Sequence, residues 1–304
     1  MKIFRGIFNG FSCVWLETPS IRMSLALDGG LRVLSFSSHG GANLFAELGD
    51  LEVGDPRNPY RLIGGHRLWH APEWAPRTYL PEVGPFRLES GNDWVSVFTQ
   101  PDASGIAKSI RVELPPDRSV ALVTHHLTNT SLWPVTLAGW AITQFPPGGV
   151  VLCPQNTELV NGNIATPNRF WVLWPFTDIR DGRFQFGNRV TLLNARFGKP
   201  TKIGDQNNTG SLAYWKPGWI FIKMFDPSPF QPHTDLNANS EIYLCDDFVE
   251  IETLSPLRCL QPGESLQYVE TWIVKQSPDE LLGEEDALML LEGSFSSNNH
   301  TTVP

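Results

Sequence analysis

Short apolar and β-branched runs, cut every few positions by glycine or proline, dominate the chain. Ile21–Ala26, Leu31–Phe36, Trp94–Thr99, Ser109–Glu113 and Ser119–Leu127 have the length and composition of β-strands, as do Val135–Gln144, Arg189–Leu193, Trp219–Phe225, Phe248–Leu254 and Ser265–Val274. Alternation of apolar and polar residues is incomplete in many of them, the pattern of strands covered on both faces by a second layer. The breaks come from 26 Gly and 25 Pro spread along the chain, with prolines at 115–116 and 146–147 marking turns. Two segments read differently. Ala42–Leu48 predicts a short helical turn. Ser277–Leu291 predicts a helix, with Ser277 as N-cap, Pro278 at the first helical position, and Leu281, Leu282, Leu288 and Leu291 on one face. Ser294–Pro304 is polar and predicts a frayed end. No repeat or low-complexity linker divides the chain. The expectation is an all-β fold: one large antiparallel β-sandwich over 1–276, then a short C-terminal helix and flexible tail over 277–304, the helix packing on the sandwich edge or mediating a contact.

At 304 residues the chain can bury a large core unaided. Its net charge of −9, with no basic stripe, argues against nucleic acid or an anionic membrane as partner. No run approaches the ~18 apolar residues of a membrane helix, and the first sixteen residues lack the apolar core of a signal peptide. Cys13, Cys153, Cys245 and Cys259 are far apart and form no C-x-x-C pair, so they read as small buried thiols in a reducing, cytoplasmic compartment.

The densest chemistry lies in Gly64-Gly65-His66-Arg67-Leu68-Trp69-His70-Ala71-Pro72-Glu73-Trp74. An imidazole, a guanidinium, a carboxylate and two indoles behind a glycine pair suit a polar ligand with an apolar face. A sugar is such a ligand: Trp69 stacks on its C–H face, while Arg67 and Glu73 bond its hydroxyls. The competing reading is a loop in which Arg67 pairs with Glu73 and the tryptophans fill the core. His66 is either a general acid or a structural histidine, since in a strand it points away from Arg67.

Glu250 and Glu252 stand two apart in a strand and so share a face, which is costly unless a ligand, a cation or a solvated cleft receives them. Lys223, inside Ile-Phe-Ile-Lys-Met-Phe, either snorkels outward or reaches a cleft and pairs with Glu252 or Glu250. His233 and Asp235 form a polar cluster in the loop after that strand. Trp174, in the aromatic run Phe170–Phe176, is either core or the floor of a sugar site. No metal-ligand spacing, phosphate-binding glycine loop or serine elbow occurs, so neither metal nor cofactor is expected.

Several motifs, in order, resemble the galactose-mutarotase-like supersandwich, the fold of aldose 1-epimerases. They are Leu27-Asp28-Gly29-Gly30-Leu31-Arg32-Val33, Asn43-Leu44-Phe45, Leu127-Thr128-Asn129-Thr130-Ser131 before Pro134-Val135, Phe248–Pro256, and Leu260-Gln261-Pro262-Gly263-Glu264-Ser265. The resemblance spans about Ile21 to Val274. It is greater still to a branch carrying Gly-Gly-His-Arg-Leu-Trp and a following Pro-Glu. It implies that Glu252 is the general base and that Arg67 lies near the ring oxygen and hydroxyls. Where epimerases carry a histidine that protonates the ring oxygen, this chain has Gln144, which can hydrogen-bond but cannot act as an acid. The expected partner is a small carbohydrate or related polyol; the oligomeric state is open. Two functions follow: an epimerase-like enzyme moving protons on a sugar (or a lyase using the same cleft), and a carbohydrate-binding protein without catalysis.

Overall fold

The computed structural model describes residues 1–75, 77–81, 86–115, 118–160 and 162–295. Two large antiparallel sheets face each other. The first has eleven strands, in the order Lys2–Phe8, Phe11–Glu17, Ile21–Ala26, Arg32–Ser38, His66–Ala71, Val135–Phe145, Val249–Leu254, Ser240–Leu244, Thr201–Asp205 and Trp171–Leu173, with Arg258–Leu260 also paired to Val135–Phe145. The second has ten: Phe184–Gln185, Val190–Asn194, Val150–Pro154, Ser211–Lys216, Trp219–Phe225, Ser265–Gln276, Val120–Asn129, Ile106–Glu113, Trp94–Phe98 and Arg87–Ser90. A separate hairpin pairs Glu52–Asp55 with Asn58–Arg61.

The main core fills the space between the sheets, where Phe36, Phe45, Phe145, Phe221 and Trp272 meet mostly edge to face. Such pairs add ~0.5–1.5 kcal/mol each beyond their buried area. Apolar residues also cluster on the outer faces, which explains the incomplete alternation in sequence. Tyr60, Leu62, Trp69, Trp140, Ile142, Phe248 and Leu254 gather outside the first sheet, beneath the hairpin. Leu152, Leu192, Trp215, Ile222 and Leu291 gather outside the second, beneath the C-terminal helix.

That helix spans Glu284–Phe295, seven residues later than the expected start at Ser277. Ser277 instead donates its hydroxyl to the Lys216 carbonyl, and helical bonding begins at Gly283, whose carbonyl accepts from Ala287. Asp286 accepts the Leu282 N–H, and Glu284 accepts the N–H of Val190 at 2.7 Å, fastening the first turn to the sheet. Ser294 and Phe295, expected in the tail, belong to the helix, while Pro116 and residues 296–304 lie outside the described residues. Ala42–Leu48 forms no helix: the Asn43 side chain accepts the N–H groups of Phe36 and Phe45 and holds the segment extended. Cys259 is exposed, unlike the other three thiols. No described helix is long and apolar enough to cross a membrane.

Candidate functional site

The glycine pair before the His66–Ala71 strand is required by the backbone. Gly64 and Gly65 have φ of 101° and 77°. A Cβ would meet Ala46 O at 2.0 Å from Gly64 and Val33 O at 2.3 Å from Gly65. This tight passage delivers Arg67 and Trp69 to the outer face of the first sheet and His66 to the inner face.

Strand register builds two polar rows on that outer face. Arg67 pairs with Ile142, Ile142 with Glu252, and Glu252 with Glu241. One step along, Gln144 pairs with Glu250, Glu250 with Tyr243, and Tyr243 with Lys202. A cleft of about 280 Å³ opens above them, bounded by Arg67, Glu250 and Lys202, by the rings of Trp69, Trp140 and Trp174, and by Glu73, Tyr79 and Tyr243. It is just below the usual range for ligand pockets, ~300–1,000 Å³.

Two ion-pair groups occupy the floor. Arg67 Nη2 donates to Glu250 Oε1 at 2.8 Å, and Gln144 Nε2 donates to the same oxygen at 3.0 Å. The guanidinium lies over the Trp69 ring, 4.2 Å from its centroid. Lys202 Nζ lies 2.6 Å from Glu241 Oε2 and 2.9 Å from Glu252 Oε2, and Trp140 Nε1 also donates to Glu252 Oε2. The same ammonium stands 4.9 Å and 4.8 Å from the ring centroids of Trp140 and Trp174. Several buried polar atoms of this floor have no protein partner: Arg67 Nε and Nη1, Gln144 Oε1, Glu241 Oε1 and Glu252 Oε1.

Burial pushes the Glu250 carboxyl above its ordinary range, with Arg67 opposing. Burial pushes Glu241 well above, against the pull of Lys202. Burial alone would lower Lys202, but Glu241 and Glu252 together hold it above its ordinary value. Tyr79, which donates its hydroxyl to Glu73, and Tyr243 are both raised by burial.

Of the sequence-predicted residues, the structure brings Arg67, Trp69, Glu73, Trp174 and Glu250 together around the cleft, with Gln144 beneath Glu250. Glu252 shares the face but is fully buried under Lys202 and Trp140. Arg67 pairs with Glu250 and not with Glu73. His66 faces the other way, into the inter-sheet core. His125 Nδ1 donates to the Tyr268 carbonyl, so its Nε2 accepts from His66 Nε2 at 2.8 Å, and His66 Nδ1 accepts from the Thr143 hydroxyl. Burial lowers both imidazoles, His125 to about 4, consistent with this neutral chain.

Lys223 neither snorkels outward nor meets Glu250 or Glu252. It is buried between the sheets, 3.1 Å from Glu270 Oε1, and donates to the carbonyl of Ala141. Donor atoms of His66, His125 and Glu270 lie within 4.8 Å of one another, and the Glu270 carboxylate is already paired with the Lys223 ammonium. His233 and Asp235 lie in the 226–239 loop outside the cleft lining; Asp235 opens the turn Asp235–Asn237 and its charge acts on Glu241.

Lys202, Glu241, Tyr79 and Tyr243 were not anticipated. Lys202 and Glu241 sit in strands of five residues rich in polar side chains, Thr201–Asp205 and Ser240–Leu244. The only hint was that two same-face glutamates call for a cation.

No known family's sequence profile matches the chain, and no curated protein matches it. Solved structures do. A TPR-domain containing protein from Parabacteroides distasonis superposes with a TM-score of 0.59 at 14% identity, over 90% of this chain; this chain spans 48% of that protein. A candidate aldose 1-epimerase from Escherichia coli K12 gives 0.54 at 14% identity, over 88% of this chain and 100% of that one. A galactose mutarotase-like protein from Lactobacillus casei gives 0.52 at 9% identity, over 86% and 100%. With two facing antiparallel sheets and these neighbours, the chain has the galactose-mutarotase-like supersandwich fold.

Proposed function

We propose that the cleft binds a sugar or related polyol of monosaccharide size and moves a proton on it, in the manner of a mutarotase. The observation that carries this reading is an aromatic-walled cleft bordered by Arg67, whose Nε and Nη1 have no protein partner. Hydroxyls on a ring whose C–H face rests on Trp174 would satisfy them. Glu250 borders the cleft where Glu252 does not, and burial raises its proton affinity, as a general base requires. It takes the anomeric proton. The Lys202 ammonium, which also borders the cleft, gives a proton to the ring oxygen, and Glu252 acts through Lys202 by fixing its position and charge. Ring opening, rotation about C1–C2 and closure then yield the other anomer. A cation held this firmly by two carboxylates is a weak acid, so the acceleration is modest.

A second reading, sugar binding without turnover, is favoured by one observation: no histidine borders the cleft among the described residues, and Gln144 spends its amide on Glu250. Fresh α-D-glucose or α-D-galactose, followed by optical rotation, separates the two. Faster relaxation that returns to the uncatalysed rate in Glu250→Gln supports the enzyme. Tryptophan quenching without faster relaxation supports the binder. Neither signal with either sugar overturns both for these sugars.

A further inference from the structure

Beside the cleft, and separate from it, lies a guanidinium with no counter-charge. Arg32 is 2% exposed. Its Nη2 donates to the Tyr60 hydroxyl at 2.6 Å and to the Arg61 carbonyl at 3.3 Å, both neutral. Its Nε and Nη1 have no partner. Among the described residues no carboxylate lies within ion-pair distance of it, although Arg67 stands directly opposite in register. Arg67 is matched by Glu250, and Arg61 by Asp50 at 2.6 Å. A buried cation facing a like charge is costly unless an anion completes it.

A pocket of about 260 Å³ adjoins this side chain. Its wall includes Arg32, Arg61, Tyr60 and the bare backbone of Gly29 and Gly30, and no acidic side chain lines it among the described residues. We propose that this pocket is a site for a small oxyanion, a phosphate or carboxylate group, received by Arg32, whose guanidinium lacks a counter-charge and keeps two nitrogens unpartnered. Tyr60 ties it to the cleft, since its hydroxyl also accepts from Trp69 Nε1 at 3.2 Å and its ring meets Trp69 and Tyr79 edge-on. The anion is either a substituent of the cleft's ligand or a separate ion. The proposal stands on Arg32 and holds whichever reading of the cleft is right.

Titration of the full chain with inorganic phosphate at constant ionic strength tests it. The expected result is saturable binding that weakens about tenfold or more in Arg32→Met and is kept in Arg180→Met, whose guanidinium is already paired with Asp178. Arg32→Met is also expected to be at least as stable as the wild type in phosphate-free buffer, because an apolar chain replaces an unmatched charge. Should that variant fail to fold, wild-type crystals soaked in tungstate give the answer, with an anomalous peak beside Arg32 expected. Equal phosphate effects on wild type and Arg32→Met, or no saturable binding and no peak, would overturn the site. Glucose 6-phosphate displacing phosphate, with glucose unable to, assigns the anion to the ligand. Glucose and phosphate bound together assign it to a separate ion. Both of these results keep the Arg32 site.

Discussion

Lys202 Nζ lies 2.9 Å from Glu252 Oε2, inside a strand sequence that gives little sign of a site, and this contact sets the electrostatics of the cleft floor. Glu241 shares the same ammonium, so one cation offsets two buried carboxylates. Lys202→Met leaves both carboxylates without a counter-charge. The expected loss is about 3–5 kcal/mol of stability, the cost of breaking a buried pair from one side. Urea unfolding at neutral pH measures it. Adding Glu252→Gln to Lys202→Met should recover part of the loss; additive losses in the double variant would show that the two residues are not coupled.

Trp69 and Trp174 both border the cleft but differ in what else they hold. Trp69 is buried against Tyr60, Tyr79 and Trp140 and supports the Arg67 guanidinium. Trp69→Ala is expected to cost about 3–5 kcal/mol of stability as a large core truncation. Trp174 is partly exposed, its ring covering Lys202. Trp174→Ala should leave unfolding within about 1 kcal/mol of wild type while weakening sugar binding several-fold, in line with ~0.5–1.5 kcal/mol for a stacked ring. A thermal melt and a ligand titration of both variants check this. A Trp174→Ala protein that binds as well as wild type would remove the ring from the binding surface.

The runs that were legible in sequence are those whose apolar content reflects burial in the inter-sheet core, and Ile21–Ala26 and Trp219–Phe225 match residue for residue. The strands missed at the site, His66–Ala71, Thr201–Asp205 and Ser240–Leu244, place charged or polar side chains on a face that is buried all the same. A polar run of five residues carries no period that distinguishes a strand from a loop, because ion pairs made across the sheet replace apolar burial. The same physics made Glu250 and Glu252 visible as a same-face pair and left their cations to be supplied by register: Arg67 lies 183 positions away from Glu250. Lys223 misled for a related reason. Its partner Glu270 comes from the adjacent strand of its own sheet, a pairing that spacing within Trp219–Phe225 cannot show.

Asp205 gives a pH signature of folding. Burial pushes its carboxyl up to about 7 from the ordinary 3.8, against the Ser240 hydroxyl that bonds it. Between those two values the folded chain keeps a proton that the unfolded chain has released. Stability therefore falls as pH rises through that window and levels off above about 7. Asp205→Asn removes the dependence. The variant's stability relative to wild type should rise from pH 4 to pH 7, by about 4 kcal/mol at most. The buried histidines titrate alike in both proteins and cancel in the difference. Urea unfolding of the pair at three pH values measures it, and a constant difference would show that Asp205 is already ionised when folded.

Lys223 and Glu270 join the two sheets under the cleft. Lys223 Nζ donates to Ala141 O at 3.0 Å and to Ile251 O at 3.4 Å, carbonyls of the two strands that carry Gln144, Glu250 and Glu252. Glu270 also accepts from Trp272 Nε1 at 2.8 Å and from the Thr253 hydroxyl. Both side chains are fully buried. Lys223→Met leaves a buried carboxylate beside neutral donors and should cost about 3–5 kcal/mol. Glu270→Gln leaves a buried ammonium with only carbonyls to receive it and should cost a comparable amount. Lys223→Met with Glu270→Gln removes both charges, and Trp272 and Thr253 can still bond the amide, so the double variant should lie closer to wild type than either single one. Binding at the cleft should follow the same order, since it depends on how the Val135–Phe145 and Val249–Leu254 strands are held. Unfolding curves and a sugar titration on all four proteins form the cycle. A double variant that is the least stable of the four would mean that the buried charges, and not merely their pairing, hold the two sheets together.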